Sequence, residues 1–204
     1  MILEARRSSR QETHPEPQLP STQATLTPLA SLKVSRHHIP RHAPLPNTSL
    51  TDFPLLVYHA AFPAPTPSAS AIEAHLRSTG VLAPQWRATM YRTTHFHSTT
   101  HELLVVSRGA ARLLFGGEDS PGAVALEAKA GDAVLVPGGV GHRLLEDRGG
   151  EFEMVGAYPV GAEQWDMCYG SGDEDRQGIE DRIRALEWFG RDPLYGDEGP
   201  ALDV

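Results

Sequence analysis

The chain has 204 residues and a net charge of −8, and 22% of its residues are charged. This fits one globular domain with some chain to spare, and the negative charge argues against a general nucleic-acid binder. The single cysteine, Cys168, excludes an internal disulfide and zinc sites built from several cysteines. No apolar run reaches the length of about eighteen residues that a membrane span needs. We expect a cytoplasmic protein that binds neither nucleic acid nor membranes.

The first fifty residues are rich in proline, serine, threonine and arginine and have little hydrophobic periodicity. Repeated prolines break regular elements, so we interpret residues 1–30 as a disordered leader. Residues 31–50 are interpreted as an extended arm that lies on the domain or on a second subunit. The arm's histidines, at 37, 38 and 42, are interpreted as loop residues and not as ligands.

A strand is predicted over residues 53–59, where an apolar run of β-favouring side chains follows the arm. A proline-rich loop then leads to a short amphipathic helix near 68–79. Ser70 and Glu73 have the spacing of a capping box, and Gly80 is well placed to end the helix.

Short apolar or alternating runs then recur between turn residues, and each run predicts a strand. They cover 90–97, 102–107, 110–115, 123–128, 133–136, 142–145 and 151–158. Strands this short, without helices between them, indicate an antiparallel sandwich or barrel over residues 51–170. Residues 171–204 are predicted to hold a charged C-terminal helix, over 173–189, and a tail.

Two clusters within this region, at 95–102 and 131–142, carry the residues suited to chemistry. His95 and His97 are two apart, and on a strand that spacing puts both imidazoles on one face. A carboxylate and a third histidine nearby complete a nitrogen and oxygen ligand set for a divalent transition metal. We expect the two clusters to fold together around one metal ion.

The first cluster resembles the first motif of the cupin superfamily, which is His-x-His, four residues, Glu, six residues and Gly. The matching residues here are His95, His97, Glu102 and Gly109. The second cluster resembles the second cupin motif, which is Gly, five residues, Pro-x-Gly, two residues and His. The matching residues here are Gly131, Pro137, Gly139 and His142.

Segments outside these motifs, at 54–58, 156–161 and 192–196, extend the resemblance to a subgroup of small single-domain cupins called YjlB-like. The resemblance covers roughly residues 45–200. It implies an all-β fold: one cupin barrel (a double-stranded β-helix, or jelly roll) with a short helix before it and another after it. Small single-barrel cupins often pair, so a homodimer is also expected.

The resemblance implies four ligands for one divalent ion of Fe, Mn, Ni, Co, Cu or Zn: His95, His97, Glu102 and His142. Strand alternation gives a different fourth ligand, because on an unbroken strand His101 shares a face with His95 and His97 while Glu102 points away. A bend at 98–100 would reverse this alternation. Glu102 is preferred, and His101 is the alternate ligand or a group that supports the ligands.

Function follows from the resemblance only by analogy, because cupin folds host many activities. The favoured class is a metal-dependent oxidoreductase of dioxygenase type, acting on a small aromatic or enol-like metabolite, with Glu102 as a ligand that also accepts a proton. A metal-assisted isomerase, decarboxylase or lyase is the second class. A non-catalytic cupin that binds a small molecule is the third. Four side chains that can line a pocket, Tyr91, Phe96, Met154 and Trp165, are interpreted as core residues.

Overall fold

A computed structural model describes residues 24–204, and the first 23 residues of the predicted leader lie outside that range. Nine strands and two α-helices follow one another along the described chain. The N-terminal half contains β1 (Lys33–His37), β2 (Leu55–His59), α1 (Ala69–Thr79), β3 (Leu82–Ala88), β4 (Glu102–Arg108) and β5 (Ala110–Phe115). The C-terminal half contains β6 (Val124–Lys129), β7 (Ala133–Val136), β8 (His142–Asp147), β9 (Glu153–Pro159) and α2 (Arg176–Arg184).

The strands form two antiparallel sheets that face each other. The larger has six strands in the order β1-β2-β7-β4-β9-β3, and the smaller has three in the order β6-β5-β8. Strand β4 pairs with β7 on one side and β9 on the other, so neighbours in space are distant in sequence. The chain therefore crosses between the sheets as in a jelly roll, and the predicted all-β cupin barrel is confirmed.

The larger sheet is buried on both faces, which explains why its central strands are continuous apolar runs and not alternating ones. Inward-facing side chains of β2, β4 and β7, such as Val57, Leu104 and Val134, pack against the smaller sheet in the main core. The alternate residues, such as Leu103 and Leu135, pack in a second core beneath α1 and the C-terminal segment.

Helix α1 covers the outer face of the larger sheet with Ile72 and Leu76, both fully buried. Its N-cap is Ser68, whose Oγ accepts a hydrogen bond of 3.3 Å from the Ala71 N–H. The capping box predicted at Ser70 and Glu73 is therefore wrong, because the helix begins earlier. Gly80 ends it with a φ of +69°, a conformation that glycine adopts at little cost.

The strand predicted over 90–97 is also wrong for most of its length, since only a bridge at His95 and Phe96 has strand pairing. A strand that the sequence did not indicate, β3, runs just before it. Pro84 conceals this strand, because proline lacks the N–H of a ladder hydrogen bond. It is tolerated because β3 is an edge strand with an irregularity between Pro84 and Trp86.

The chain on either side of the barrel lies against it. The arm's strand β1 pairs with β2 of the same chain at the edge of the larger sheet. Helix α2 is shorter than the predicted 173–189, and it buries Ile179 and Ile183 in a third small core with Phe96. Among residues 24–204, no helix combines the length and the apolar composition needed to cross a lipid bilayer.

Candidate metal centre

The two sequence clusters meet directly through backbone pairing. His95 and His142 form an isolated antiparallel bridge, with N–H to carbonyl hydrogen bonds of 3.2 and 2.8 Å. Residues 47 positions apart in sequence are thereby fixed side by side. The bridge places the first cupin motif against the start of β8, which carries the last residue of the second motif.

Three imidazoles converge at this point. The ring centroids of His95 and His142 are 4.3 Å apart, and His97 lies 5.7 and 5.5 Å from them. One ring nitrogen from each histidine lies within 4.8 Å of the other two. All three side chains are buried, so the group is a histidine triad and not a set of surface residues.

The second nitrogen of each ring is held by a backbone carbonyl. Nδ1 of His95 lies 3.0 Å from the Thr93 oxygen, Nδ1 of His142 lies 2.9 Å from the Val140 oxygen, and Nδ1 of His97 contacts the Asp166 oxygen. A carbonyl can only accept, so each Nδ1 carries a proton, and in the neutral ring Nε2 is the nitrogen that can bind a metal. Metal-binding histidines are fixed in this way, and the three residues fit a metal ion.

Burial keeps two of these histidines neutral. It lowers the pKa of His142 to about 3, assisted by the nearby His95 ring, and it lowers the pKa of His95. For His97, burial also acts to lower the pKa, but its contacts with the Glu102 carboxylate and with Asp166 outweigh burial and raise the pKa. Burial acts to raise the pKa of Glu102, yet its contacts with His97 and His142 lower it, so the carboxylate is ionised.

Glu102 is the first residue of β4 and faces the triad. Its Oε2 lies 3.5 Å from Nε2 of both His97 and His142. Two atoms that ligate one transition metal at about 2.1 Å lie roughly 3.0–3.5 Å apart, so this spacing suits a shared ion. The role of Glu102 as a fourth ligand stays a prediction that this geometry supports.

His101 does not reach the triad. Its Nδ1 accepts a hydrogen bond of 3.0 Å from the Gly138 N–H, and its Nε2 lies 3.2 Å from the Glu187 carbonyl. Its ring packs edge-on against Phe53 and Trp188, and burial lowers its pKa to about 4. The chain bends at 98–100, so His101 faces the outer core and Glu102 faces inward.

The open side of the triad faces a cavity of about 370 Å³. Its wall is mostly apolar and includes Trp86, Met90, Leu104, Met154, Tyr158 and Trp165. Of the four residues interpreted as core, Tyr91, Met154 and Trp165 line this cavity, and only Phe96 packs away from it in the third core. The core interpretation is therefore wrong for Tyr91, which is 64% exposed, and for the partly buried Trp165, because the barrel is not filled at this end. It is confirmed for Met154, which lines the cavity and is also fully buried in the main core.

Asp166 is a site residue that the sequence did not indicate. Its carbonyl orients His97, while its carboxylate accepts hydrogen bonds of 2.7 and 2.5 Å from the N–H and Oγ–H of Ser98. Asp166 thus ties the segment that carries Trp165 to the loop that carries His97. Only its position between two cavity residues could have pointed to it, and that signal is weak.

Tyr158 and Trp86 were also missed as partners of the site. The Tyr158 hydroxyl donates to Oε1 of Glu102, and the Trp86 N–H donates to the Tyr158 oxygen at 2.9 Å. Burial and the Glu102 charge raise the pKa of Tyr158, so the hydroxyl keeps its proton. The triad, Glu102 and this pair form one continuous polar group at the end of an apolar cavity.

Comparison with known proteins identifies the family. No family model matches the chain. The chain is 34% identical over 153 residues to the uncharacterized protein YjlB of Bacillus subtilis (strain 168), covering 75% of this chain and 86% of that protein. The chain is a YjlB-like cupin. This agrees with the two motifs and with the additional segments that resemble the subgroup.

Solved structures similar to this cupin are larger proteins. The coconut allergen cocosin matches 71% of this chain and 30% of its own, with 10% identity and a TM-score of 0.34. A mutant of Bacillus subtilis oxalate decarboxylase OxdC matches 62% of this chain and 25% of its own, with 18% identity and a TM-score of 0.27. This cupin thus spans less than a third of their length, and scores this low add nothing to the assignment of function.

Proposed function

We propose that this cupin is a metal-dependent oxidoreductase of dioxygenase type that acts on a small aromatic or enol-like metabolite. The observation that carries the proposal is the open side of the histidine triad, which faces an apolar, aromatic-walled cavity. A triad closed on all sides would favour a structural ion. An open triad leaves positions at which a small molecule can meet the metal.

The donor set defines what the site would hold. His95, His97 and His142 would hold one divalent transition metal ion through Nε2, with Glu102 as the predicted fourth ligand. Such an ion, of Fe, Mn, Ni, Co, Cu or Zn, would supply Lewis-acid polarisation of a bound oxygen atom and, where the metal is redox-active, electron transfer. The protein's part is to orient the donors, exclude water with apolar walls and accept a proton at the Glu102 carboxylate when that carboxylate is not bound to the ion.

The lining of the cavity supports the proposed substrate class. No lysine or arginine lines it, and Glu102 is its one acidic residue, among the described part of the chain. A substrate with several negative charges would lose its hydration without gaining a cationic partner, which is costly. Flat side chains such as Trp165 and Tyr158, stacked 6.0 Å apart at 17°, favour a planar apolar body. A phenol or enol bearing one or two oxygens fits both conditions.

Two other functions use the same residues. A metal-assisted isomerase, decarboxylase or lyase would use the ion to stabilise an enediolate or carboxylate, with Glu102 moving the proton. A non-catalytic small-molecule-binding cupin would need only the cavity and the ion. The mostly apolar, aromatic wall supports the first proposal over the second, because it suits an apolar substrate better than an enediolate or a carboxylate. Oxygen uptake separates the first proposal from the third.

Metal analysis followed by oxygen uptake tests the proposal. The purified protein is expected to contain near-stoichiometric transition metal, and a panel of phenols, enols and keto acids should contain a compound that drives oxygen consumption. Wild-type protein that binds none of the six metals would refute the metal site. If metal-loaded protein converts a panel compound without consuming oxygen, the first proposal is wrong and the isomerase, decarboxylase or lyase class is supported.

We also propose a cytoplasmic homodimer, with the 31–50 arm as the segment that meets the partner. Strand β1 lies at the edge of the larger sheet, and no other strand among residues 24–204 pairs with its outer side, where a second copy can pair. Light scattering of the wild type at micromolar concentration is expected to give twice the mass of 22.2 kDa. A monomer mass over that concentration range would contradict the dimer.

A further inference from the structure

We propose that Tyr158 is a positioning residue for the metal site. Its hydroxyl fixes Glu102 so that one carboxylate oxygen faces the histidines, and Trp86 holds Tyr158 in place. The inference rests on the proposed metal site and goes beyond it, since neither aromatic residue belongs to the cupin motifs.

The carboxylate of Glu102 is divided between two sets of partners. Oε2 faces Nε2 of His97 and His142, at 3.5 Å from each. Oε1 accepts the hydrogen bond of the Tyr158 hydroxyl. A buried carboxylate without that second bond could rotate and present either oxygen, or both, to the triad. The Tyr158 hydroxyl removes this freedom and satisfies the oxygen that does not face the metal position.

Trp86 fixes Tyr158 in the same way. Its indole N–H donates to the Tyr158 oxygen at 2.9 Å, so the hydroxyl hydrogen is directed at Glu102. An oxygen that already receives a hydrogen bond donates its own hydrogen elsewhere, and neighbouring hydrogen bonds in a chain strengthen one another. The chain of hydrogen bonds therefore runs in one direction, from the Trp86 N–H through the Tyr158 hydroxyl to the Glu102 carboxylate.

The strands β3 and β9 are built to hold this arrangement. Trp86 is paired with Gly156 across the two strands, and a Cβ at position 156 would lie only 2.0 Å from the indole ring. Glycine is thus required for the ring to lie flat on β9. Tyr158 is two residues further along β9 and on the same face, where the indole N–H reaches it. Gly156 lies within a strand and not in a turn, which indicates that a side chain is absent there to leave room for the Trp86 indole.

Cobalt binding to purified protein tests the inference without any measurement of turnover. The Co²⁺ affinity of Tyr158→Phe, measured by competition with a chromophoric chelator, is expected to be about 10–100-fold weaker than that of the wild type. The variant keeps the aromatic ring and its stacking on Trp165, and it removes only the hydroxyl. Affinity within about twofold of the wild type would overturn the inference.

Trp86→Phe supplies the second measurement, because it removes the indole N–H. Its Co²⁺ affinity is expected to lie between those of the wild type and Tyr158→Phe. The double variant should bind as Tyr158→Phe does, since Trp86 acts through Tyr158. If the losses of Co²⁺ affinity add up in the double variant, the two residues act independently, and the proposed hydrogen-bond chain from Trp86 through Tyr158 to Glu102 is contradicted.

Tyr58→Phe is a matched control. Tyr58 is also a buried tyrosine whose hydroxyl donates to a buried carboxylate, that of Asp192, at 2.9 Å, but it faces the outer core. It is expected to lose stability and to keep wild-type Co²⁺ affinity. If Tyr58→Phe loses as much Co²⁺ affinity as Tyr158→Phe, removal of any buried tyrosine hydroxyl weakens metal binding, and the positioning role of Tyr158 is refuted. Wild-type protein that binds no Co²⁺ or other metal refutes the proposed function instead.

Discussion

Replacing His97 with alanine is expected to reduce the bound transition metal from near one equivalent to a small fraction. The substitution removes one of three converging Nε2 donors and leaves His95, His142 and Glu102. Loss of a residue that only supports a ligand typically costs about 10–100-fold in metal affinity, so loss of a ligand itself should cost more than about 100-fold. Elemental analysis of protein purified without added metal measures the effect.

His101→Ala is the matched control, since His101 is the alternate ligand from strand alternation. It is expected to keep the metal and to lose about 2–4 kcal/mol in the free energy of unfolding, because both ring nitrogens bond to backbone groups. His101→Asn, which retains an acceptor for the Gly138 N–H, should lose less. If His101→Ala loses the bound metal and His97→Ala keeps it, His101 and not His97 is the ligand.

The different fates of His101 and Glu102 show what sequence patterns can establish about such a site. Strand alternation placed His101 with the other histidines because it assumes a continuous strand. The chain instead bends at 98–100, and Asp166 holds the bend through Ser98. The spacing of the cupin motif already includes such a bend, so it predicted the correct inward residue. The contact that holds the bend lies 68 positions away and leaves no local pattern.

The fold class was predictable because many short strands and turns along the sequence all indicate an antiparallel sandwich or barrel. The individual strand β3 was not predictable, because Pro84 contradicts a strand locally and only its edge position makes the residue acceptable. Trp86 and Tyr158 were missed for a related reason. Their meeting depends on the register of β3 against β9, which neither strand's sequence specifies alone. Gly156 was the available signal, since a glycine inside a buried strand often marks the close approach of another group.

Pocket residues were harder to predict than ligands. Tyr91 and Trp165 are residue types that also occur in cores, and sequence cannot tell whether such a side chain faces another side chain or an empty cavity. The distinction depends on how far the two sheets separate at one end of the barrel. The predicted ligands carry chemistry that a core does not need, and for that reason the sequence could single them out.

Asp192→Ala is expected to destabilise the protein by roughly 3–5 kcal/mol, because it leaves several buried donors unpaired at once. Asp192 is fully buried, and its carboxylate accepts from the Tyr58 hydroxyl and from three backbone N–H groups. The N–H donors, at 2.9–3.0 Å, belong to Leu194, Tyr195 and Ala201. One side chain thus organises the C-terminal segment and ties it to β2. Urea denaturation followed by far-ultraviolet circular dichroism measures the loss.

Asp197→Ala is the matched surface control, since that carboxylate pairs with Arg191 and its side chain is 85% exposed. It should change the free energy of unfolding by less than about 0.5 kcal/mol. Asp192→Asn, which keeps one acceptor oxygen, should fall between the two. Because Asp192 lies on the outer face of the larger sheet, the folded Asp192→Asn protein should bind metal as the wild type does. A stable Asp192→Ala protein would mean that the C-terminal segment is held mainly by its apolar contacts, with Trp188 and Leu194 as the anchors.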